Sequence, residues 1–367
     1  MRRGCKPATE RRSAGPEPPT RSIMMLLARF TSRSAHSVFM SELSPFSAHQ
    51  APGLFVGAEH ERRIREALDA ALAPATRRAY AGALRHLFAW CAREGFTDPV
   101  EPVVLAAYLT ARVEEGRGLS TITIALAAVR QAALETDAPD PTASAALRRT
   151  VIGIRRQLAG RSVRKAHALT TPELARIIGA IDRSTNAGKR DAAMLCLLYA
   201  AALRRSELTH LRRSDVKIGS DGMVVTIRTS KTDMFGASEI VGVLRGAHQA
   251  TDPVGSLARW VSVRGPMSSE TPLFCGISRS GRILSGPGIA PSSLNNILQA
   301  RAKAAGLDLP DLSAHSGRAG HITTAALAGL PTEQIARTSR HKNLAVLAGY
   351  IRPATVIGDS TSGFLGL

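Results

Sequence analysis

Hydrophobic positions fall at helical spacing along most of the chain. From Thr76 the residues Tyr80, Leu84, Leu87, Phe88 and Cys91 form one stripe, with Thr76 as the expected N-cap and "EGF" as the stop. "VEPVVLAAYLTARVEEG" repeats the pattern through Val104, Leu105, Tyr108 and Leu109. Ser120 is the expected cap of a third helix carrying Ile122, Leu126 and Val129, and "PTASAALRRTVIGIRRQL" gives a fourth. The spacing predicts an all-α domain of four helices over residues 58–158.

The period then breaks. "AGRSVRKAHALT" is basic and has no apolar repeat, so residues 159–169 read as a linker. "TTPEL" marks a new start: Thr170 or Thr171 as N-cap, Pro172 in the first turn and Glu173 beside it. A second domain follows over 170–352. "RDAAMLCLLYAAAL" is nearly all apolar and predicts a buried central helix that runs straight into Arg204. "MVVTIRTS" and "ASEIVGV" are strand-like, separated by "KTDMFG", and predict a hairpin or small sheet as the one β insertion. "DPVGSLARWVSVRG", "PSSLNNILQARAKAAG", "SAHSGRAGHITTAALAG" and "PTEQIARTSR" read as further helices. The fold class is therefore mainly α with a small β-sheet, in two domains.

Residues 1–57 carry no period. "RRSAGPEPPTRS" is rich in Pro, Ser and Arg, so this segment is expected to be a disordered basic tail. "IMMLLA" is too short for the apolar core of a signal peptide. A dispensable tail, or a true start at Met24, Met25 or Met40, is favoured over an organelle transit peptide. Residues 353–367 form a C-terminal tail, and "GFLGL" within it is expected either to pack against a neighbouring protomer or to be disordered. No apolar run approaches the roughly 18 residues a bilayer span requires.

Charge changes the picture more than composition does. The chain has 367 residues, 44% of them hydrophobic, and a formal net charge of +19. Such charge speaks of partners, and the natural one is a polyanion whose counterions the lysines and arginines release. A membrane surface and arginine-rich genomic bias are the plainer alternatives. Aromatic residues make up only 4%, which disfavours stacking on single strands and points to duplex DNA. Arg77 and Arg78 in the first domain, and Arg161, Arg164 and Lys165 in the linker, are the candidate backbone contacts. Arg148, Arg149, Arg155 and Arg156 lie on the same first domain, where any single arginine is more simply a solvated one. The four cysteines, Cys5, Cys91, Cys196 and Cys275, are far apart and suit a reducing cytosol rather than a zinc site or disulfide framework.

Four polar clusters interrupt the apolar second domain. Arg204 and Glu207 stand in "AALRRSELTHL", as a structural pair or as an anion contact with its orienting carboxylate. Lys231 sits at the tip of the expected hairpin. His315 and Arg318 in "HSGR" share one helix face. His341 and Tyr350 lie nine positions apart in "SRHKNLAVLAGYIR", where a tyrosine is by default a core side chain. Together they form a kit for phosphoryl transfer. Arginine forks match non-bridging oxygens and keep their charge. A phenol, with an ordinary pKa near 10, needs a base or cationic stabilisation to attack, and a histidine can supply the base. A lysine can protonate the leaving oxygen. The cations do the work a metal would otherwise do, so no metal and no cofactor is expected.

The order Arg, Lys, His-x-x-Arg, His, Tyr resembles the tyrosine recombinase (phage integrase) family over residues 60–352. "ALRRSEL" resembles its first arginine box, "SKTD" its lysine hairpin, "HSGRAG" its His-x-x-Arg box and "SRHKNLAVLAGYIR" its last box. The resemblance implies that Arg204, Lys231, His315, Arg318, His341 and Tyr350 are catalytic, with Glu207 supporting. It implies a two-domain DNA clamp, with a helical core-binding domain over 58–158 and a mixed α/β catalytic domain. It implies a cytoplasmic, nucleoid-associated enzyme that acts as a homotetramer on two specific duplex sites, without ATP, in mobile-element or related recombination. Accessory DNA-bending proteins are left open as partners. A clamp that has lost catalysis and a type IB topoisomerase are the competing functions. Two departures stand out. Ala202 and Arg340 occupy positions where the family often has glycine. Ala202 is expected to matter little, while Arg340 places an extra cation beside the site. "HSGR" also replaces the commoner His-x-Leu-Arg and keeps both reactive side chains.

Overall fold

The computed structural model describes residues 57–136, 138–161, 166–228, 238–355 and 362. The expected N-terminal tail, linker residues Arg164 and Lys165, Lys231 with its flanking segment, and most of the C-terminal tail lie outside them. The chain divides into two compact units, residues 1–163 and 164–367. Among the described residues no helix is long and apolar enough to cross a membrane.

Among its described residues the first unit holds five α-helices: α1 (Ala58–Ala70), α2 (Pro74–Glu94), α3 (Pro102–Glu114), α4 (Leu119–Glu135) and α5 (Ala145–Leu158). The apolar stripes meet in one core built from Leu84, Leu87, Trp90, Leu105, Tyr108, Ile122, Val129 and Ile154. The expectation of four helices was one short. α1 exposes Glu59, Arg62, Arg63 and Glu66 and is supported by Arg62, which bridges Glu59 at 2.7 Å and Glu66 at 2.5 Å. Such i,i+3 and i,i+4 pairs support a helix without needing a long apolar stripe. Two caps also differ. α2 begins at Pro74 with Ala73 as N-cap, because the fixed φ of proline starts a helix without a side-chain cap, and Thr76 lies inside it. α4 begins at Leu119, with Gly118 as N-cap and Ser120 within the first turn. Gly95, at φ +80°, ends α2 within "EGF".

The second unit opens with α6 (Thr171–Gly179), closed by a capping box in which Thr170 and Glu173 satisfy each other's backbone N–H groups. α7 (Asn186–Ala200) is buried from Ala192 through Leu198 and forms the centre of the core. It stops four residues before Arg204, which instead begins the short α8 (Arg205–His210) as its N-cap. β1 (Val216–Ile218), β2 (Gly222–Ile227) and β3 (Glu239–Leu244) form an antiparallel sheet in that order, with Val225 opposite Val241. α9 (Pro253–Arg264) packs along α7, and Trp260 donates its indole N–H to the Leu273 carbonyl at 2.8 Å.

A second sheet, β4 (Cys275–Ile277) paired with β5 (Ile283–Gly288), was not expected from the sequence. Its strands are a three-residue run and a Gly/Pro-bearing one, too short and irregular for a period of two. α10 (Pro291–Ala304), α11 (Ala314–Leu327), α12 (Thr332–Ser339) and α13 (Leu344–Thr355) complete the unit.

Two glycines in "HSGRAG" set how α11 docks. A Cβ on Gly320 would meet the Leu169 carbonyl oxygen at 1.8 Å. That close approach lets the Leu169 N–H bond the Ser316 carbonyl at 3.1 Å. A Cβ on Gly317 would crowd the Leu198 side chain of α7 at 3.1 Å, so the volume the commoner leucine would fill is taken from the facing helix.

Candidate active site

Tyr350 lies in the middle of α13. Its ring packs on a small cluster made by Ile322, Ala325, Ala326, Ile335 and Leu347. Its hydroxyl leaves that cluster and stands 2.7 Å from Nε2 of His315, in the first turn of α11. The core reading and the chemical reading are thus both satisfied by one side chain: the ring body packs and the polar tip is free to react. Burial first, then Arg318 and Arg204, push His315 below its ordinary pKa, although the residue keeps exposed surface. At neutral pH it is a neutral imidazole, able to accept the phenol proton.

One turn along α11, Arg318 is 1% exposed. Its Nη1 donates to the Ala202 carbonyl at 2.7 Å and its Nη2 to the Ser339 carbonyl. Nη2 also lies 3.4 Å from Nδ1 of His341. Burial, then Arg204 and Arg340, push Arg318 down to about 9, which still leaves it protonated at neutral pH.

His341 follows the end of α12. The Ser339 hydroxyl stands between the Ile335 carbonyl at 2.7 Å and His341 Nδ1 at 2.8 Å. Its single proton serves one of them. If the hydroxyl donates to Nδ1, the ring hydrogen sits on Nε2 of His341, which is then a donor; if it donates to the Ile335 carbonyl, Nδ1 carries the hydrogen and Nε2 is an acceptor. Burial, then Arg318 and Arg204, push His341 down to about 4. Its ring centroid is 6.0 Å from that of Tyr350, as is that of His315.

Arg204 reaches the same place from α8. Its Nη1 donates to Glu207 Oε1 at 2.5 Å, and its backbone N–H donates to Glu207 Oε2 at 2.7 Å. Glu207 is buried, and Arg340 Nη2 donates to the same Oε2 at 2.6 Å. Burial raises the Glu207 carboxyl, but Arg340 and then Arg204 outweigh it and hold it below the ordinary range. The carboxylate stays ionised and fixed between two guanidiniums.

Five of the six expected catalytic residues therefore converge within the second unit, with Glu207 beneath them. Lys231 lies outside the described residues. Arg77, Arg78 and Arg161 are exposed on the first unit. Burial pushes the Cys91 and Cys196 thiols up to about 11, so neither is a nucleophile at neutral pH.

The two departures from glycine have a common geometry. Ala202 has φ +46° and Arg340 φ +55°, both in the left-handed region. Ala202 is therefore not the neutral replacement expected: the turn demands a backbone that glycine enters freely. Its reward is the carbonyl it presents to Arg318. Ser339 and the Glu207 contact of Arg340 were missed. Serine next to a histidine is too common a pair to signal, and the Glu207–Arg340 partners are 133 residues apart.

The model of the Phage integrase family matches residues 167–355. An integrase/recombinase xerD homolog of Selenomonas ruminantium is 25% identical over 302 residues, which is 81% of this chain and 87% of the relative. Tyrosine recombinase XerC of a Methylobacterium species is 35% identical over 171 residues, spanning 44% of this chain and about half (52%) of that protein's length. Among solved structures, XerH site-specific recombinase bound to difH substrate aligns with a TM-score of 0.57 at 16% identity, over 92% of this chain and 94% of that one. A lambda integrase dimer bound to a COC′ core site aligns at 0.54 and 18% identity, over 84% and 81%. At such identities the structural likeness speaks for the fold, but the family match spans more than half of this chain and takes in every converging residue: the chain belongs to the phage integrase family of tyrosine recombinases.

Proposed function

We propose that this chain cuts and rejoins duplex DNA at specific sites through a 3′-phosphotyrosyl intermediate on Tyr350. The observation that carries the reading is the Tyr350 hydroxyl held 2.7 Å from a neutral His315, beside buried Arg318. Tyr350 Oη attacks the scissile phosphorus and gives its proton to His315 Nε2. The bond to the 5′-oxygen breaks. Lys231 gives that oxygen a proton. Arg204 and Arg318 hold the non-bridging oxygens as negative charge develops, and His341 assists them. The phosphotyrosyl bond stores the energy of the broken one, so the 5′-hydroxyl of another strand reverses the step without ATP.

Duplex DNA is the partner, held largely through its phosphates by a chain of net charge +19. Arg77, Arg78 and Arg161, with Arg164 and Lys165, supply backbone contacts from the 58–158 helical domain and the 159–169 linker. The acting form is a homotetramer on two sites, in the cytoplasm at the nucleoid.

The test is covalent trapping. Duplex carrying a nick near the cleavage point loses its 5′-hydroxyl fragment and leaves the enzyme attached. Wild type should shift on a denaturing gel, and sequencing DNA trapped in cells should return one site. Tyr350→Phe should bind duplex and give no adduct. An adduct that persists in Tyr350→Phe would sink the assignment. Relaxation of supercoiled DNA that lacks the recovered site would favour a topoisomerase instead.

A further inference from the structure

Arg340 has no part in the chemistry above, yet it is buried and its guanidinium is engaged on several sides. Nη2 donates to Glu207 Oε2 at 2.6 Å and to the Ala202 carbonyl at 3.3 Å. Nη1 donates to the carbonyls of Thr338 at 2.8 Å and Ala201 at 3.1 Å. Nε faces Glu239 Oε2 at 3.5 Å, and these two buried atoms have no closer hydrogen-bond partner. Two of these partners lead straight to the arginines aimed at phosphate. The other oxygen of Glu207 holds Arg204 at 2.5 Å. The Ala202 carbonyl also accepts from Arg318 at 2.7 Å.

We infer that Arg340 is a positioning residue: by cross-linking the Glu207 carboxylate to the Ala201 and Ala202 carbonyls, it fixes Arg204 and Arg318 in one relative geometry. The inference rests on the phosphotyrosyl reading of this site and adds a residue to it. A long side chain at a left-handed backbone position persists where its surroundings over-determine it, and such positions cluster at functional sites. The planar fork is what the job needs. It spans a carboxylate and two carbonyls at once, whereas a lysine ammonium is a point charge. Glu239 extends the same hub to the first residue of β3, eight positions after Lys231 in the chain.

The test reads position and charge separately. In free protein carrying ¹³C at glutamate carboxyls, with the Glu207 signal identified by its loss in Glu207→Gln, Arg340→Met should raise the Glu207 midpoint by about 1 pH unit or more. Arg340→Lys should keep most of the lowering. Single-turnover adduct formation is then measured on the duplex recovered by trapping, below the melting temperature of every variant. Arg340→Met should slow it on the order of 10- to 100-fold with unchanged duplex affinity, as expected for reacting groups displaced by up to about 1 Å. Arg340→Lys should also be slow, because charge alone does not position. A Met variant with an unmoved Glu207 midpoint, or one that cleaves at the wild-type rate, overturns the inference. Should Arg340→Met fail to fold, Arg340→Lys decides: full-rate cleavage overturns, slow cleavage with a retained midpoint upholds. If wild type forms no adduct, the phosphotyrosyl reading fails, and the Glu207 titration still decides whether Arg340 governs that carboxylate.

Discussion

At the scale of single residues, burial first and concentrated positive charge second keep the histidines of the site neutral. His341 shows the consequence for stability. Burial is the first cause of its low value, with Arg318, Arg204, His315 and Arg340 adding to it, and together they push it down to about 4. In the unfolded chain it should titrate near 6.5. Between those values the unfolded chain binds the extra proton. The contribution to stability is therefore complete above about pH 6.5 and is lost as pH falls toward 4. Its size is at most about 3 kcal/mol, since each tenfold change in proton affinity is worth roughly 1.4 kcal/mol. His315 and His321 are lowered too and act in the same direction, so the comparison has to be with a single-site variant. Urea unfolding at pH 7.5 and pH 5 should show wild type losing more stability on acidification than His341→Gln. Equal losses would mean that the arginine field around His341 is weaker than its geometry implies.

At the scale of elements, docking of α11 depends on two small residues, and the sequence marks them only as part of a motif. Gly320→Ala puts a methyl 1.8 Å from the Leu169 carbonyl oxygen, which is backbone and cannot rotate away. The segment before α6 would have to leave α11, and the Leu169 to Ser316 bond with it. Thermal or urea unfolding should show a loss of about 1–3 kcal/mol or more. Gly153→Ala is the opposite case. Gly153 is exposed in the interior of α5 with no atom within 4 Å of a new Cβ, so alanine should stabilise by about 0.5–1 kcal/mol. The contrast also marks what the sequence could show. α3, α4, α6, α7 and α9 were legible from their apolar runs and spacing, with proline in the first turn of α3, α6 and α9 and a correctly read cap at α6. The order of the polar boxes was legible because Arg204, His315, Arg318, His341 and Tyr350 interrupt apolar runs. α1 was not, since the support visible among its described side chains is local, from Arg62 and its glutamates. The left-handed turns at Ala202 and Arg340 were not, since their reason is tertiary. One aims a carbonyl at Arg318, 116 residues away, and the other reaches Glu207.

At the scale of the whole molecule, charge predicts how DNA is held and which part of the chain holds it. Residues 1–56 contain eight Lys and Arg against three Glu, a net +5, which leaves +14 of the +19 to the rest. In the first unit Arg77, Arg78, Arg148, Arg149, Arg155 and Arg156 are exposed on α2 and α5, and Arg161 is exposed just beyond α5. Helices present cations at fixed spacing, so these arginines would meet a duplex backbone at low ordering cost. Phosphate contacts appear as the slope of log affinity against log salt, about 0.9 per phosphate neutralised. Each contact removed should lower that slope by about 1. A chain beginning at Gly57 should therefore keep nearly the full slope. The double change Arg78→Gln and Arg161→Gln should lower it by about 2, with little effect on which sequence is preferred, because phosphate contacts carry no base information. Fluorescence anisotropy of a labelled duplex across about 50–300 mM salt measures both. If deletion of residues 1–56 cut the slope severalfold more than the double change did, the DNA would be held by the N-terminal segment, and the folded arginines would be solvated surface.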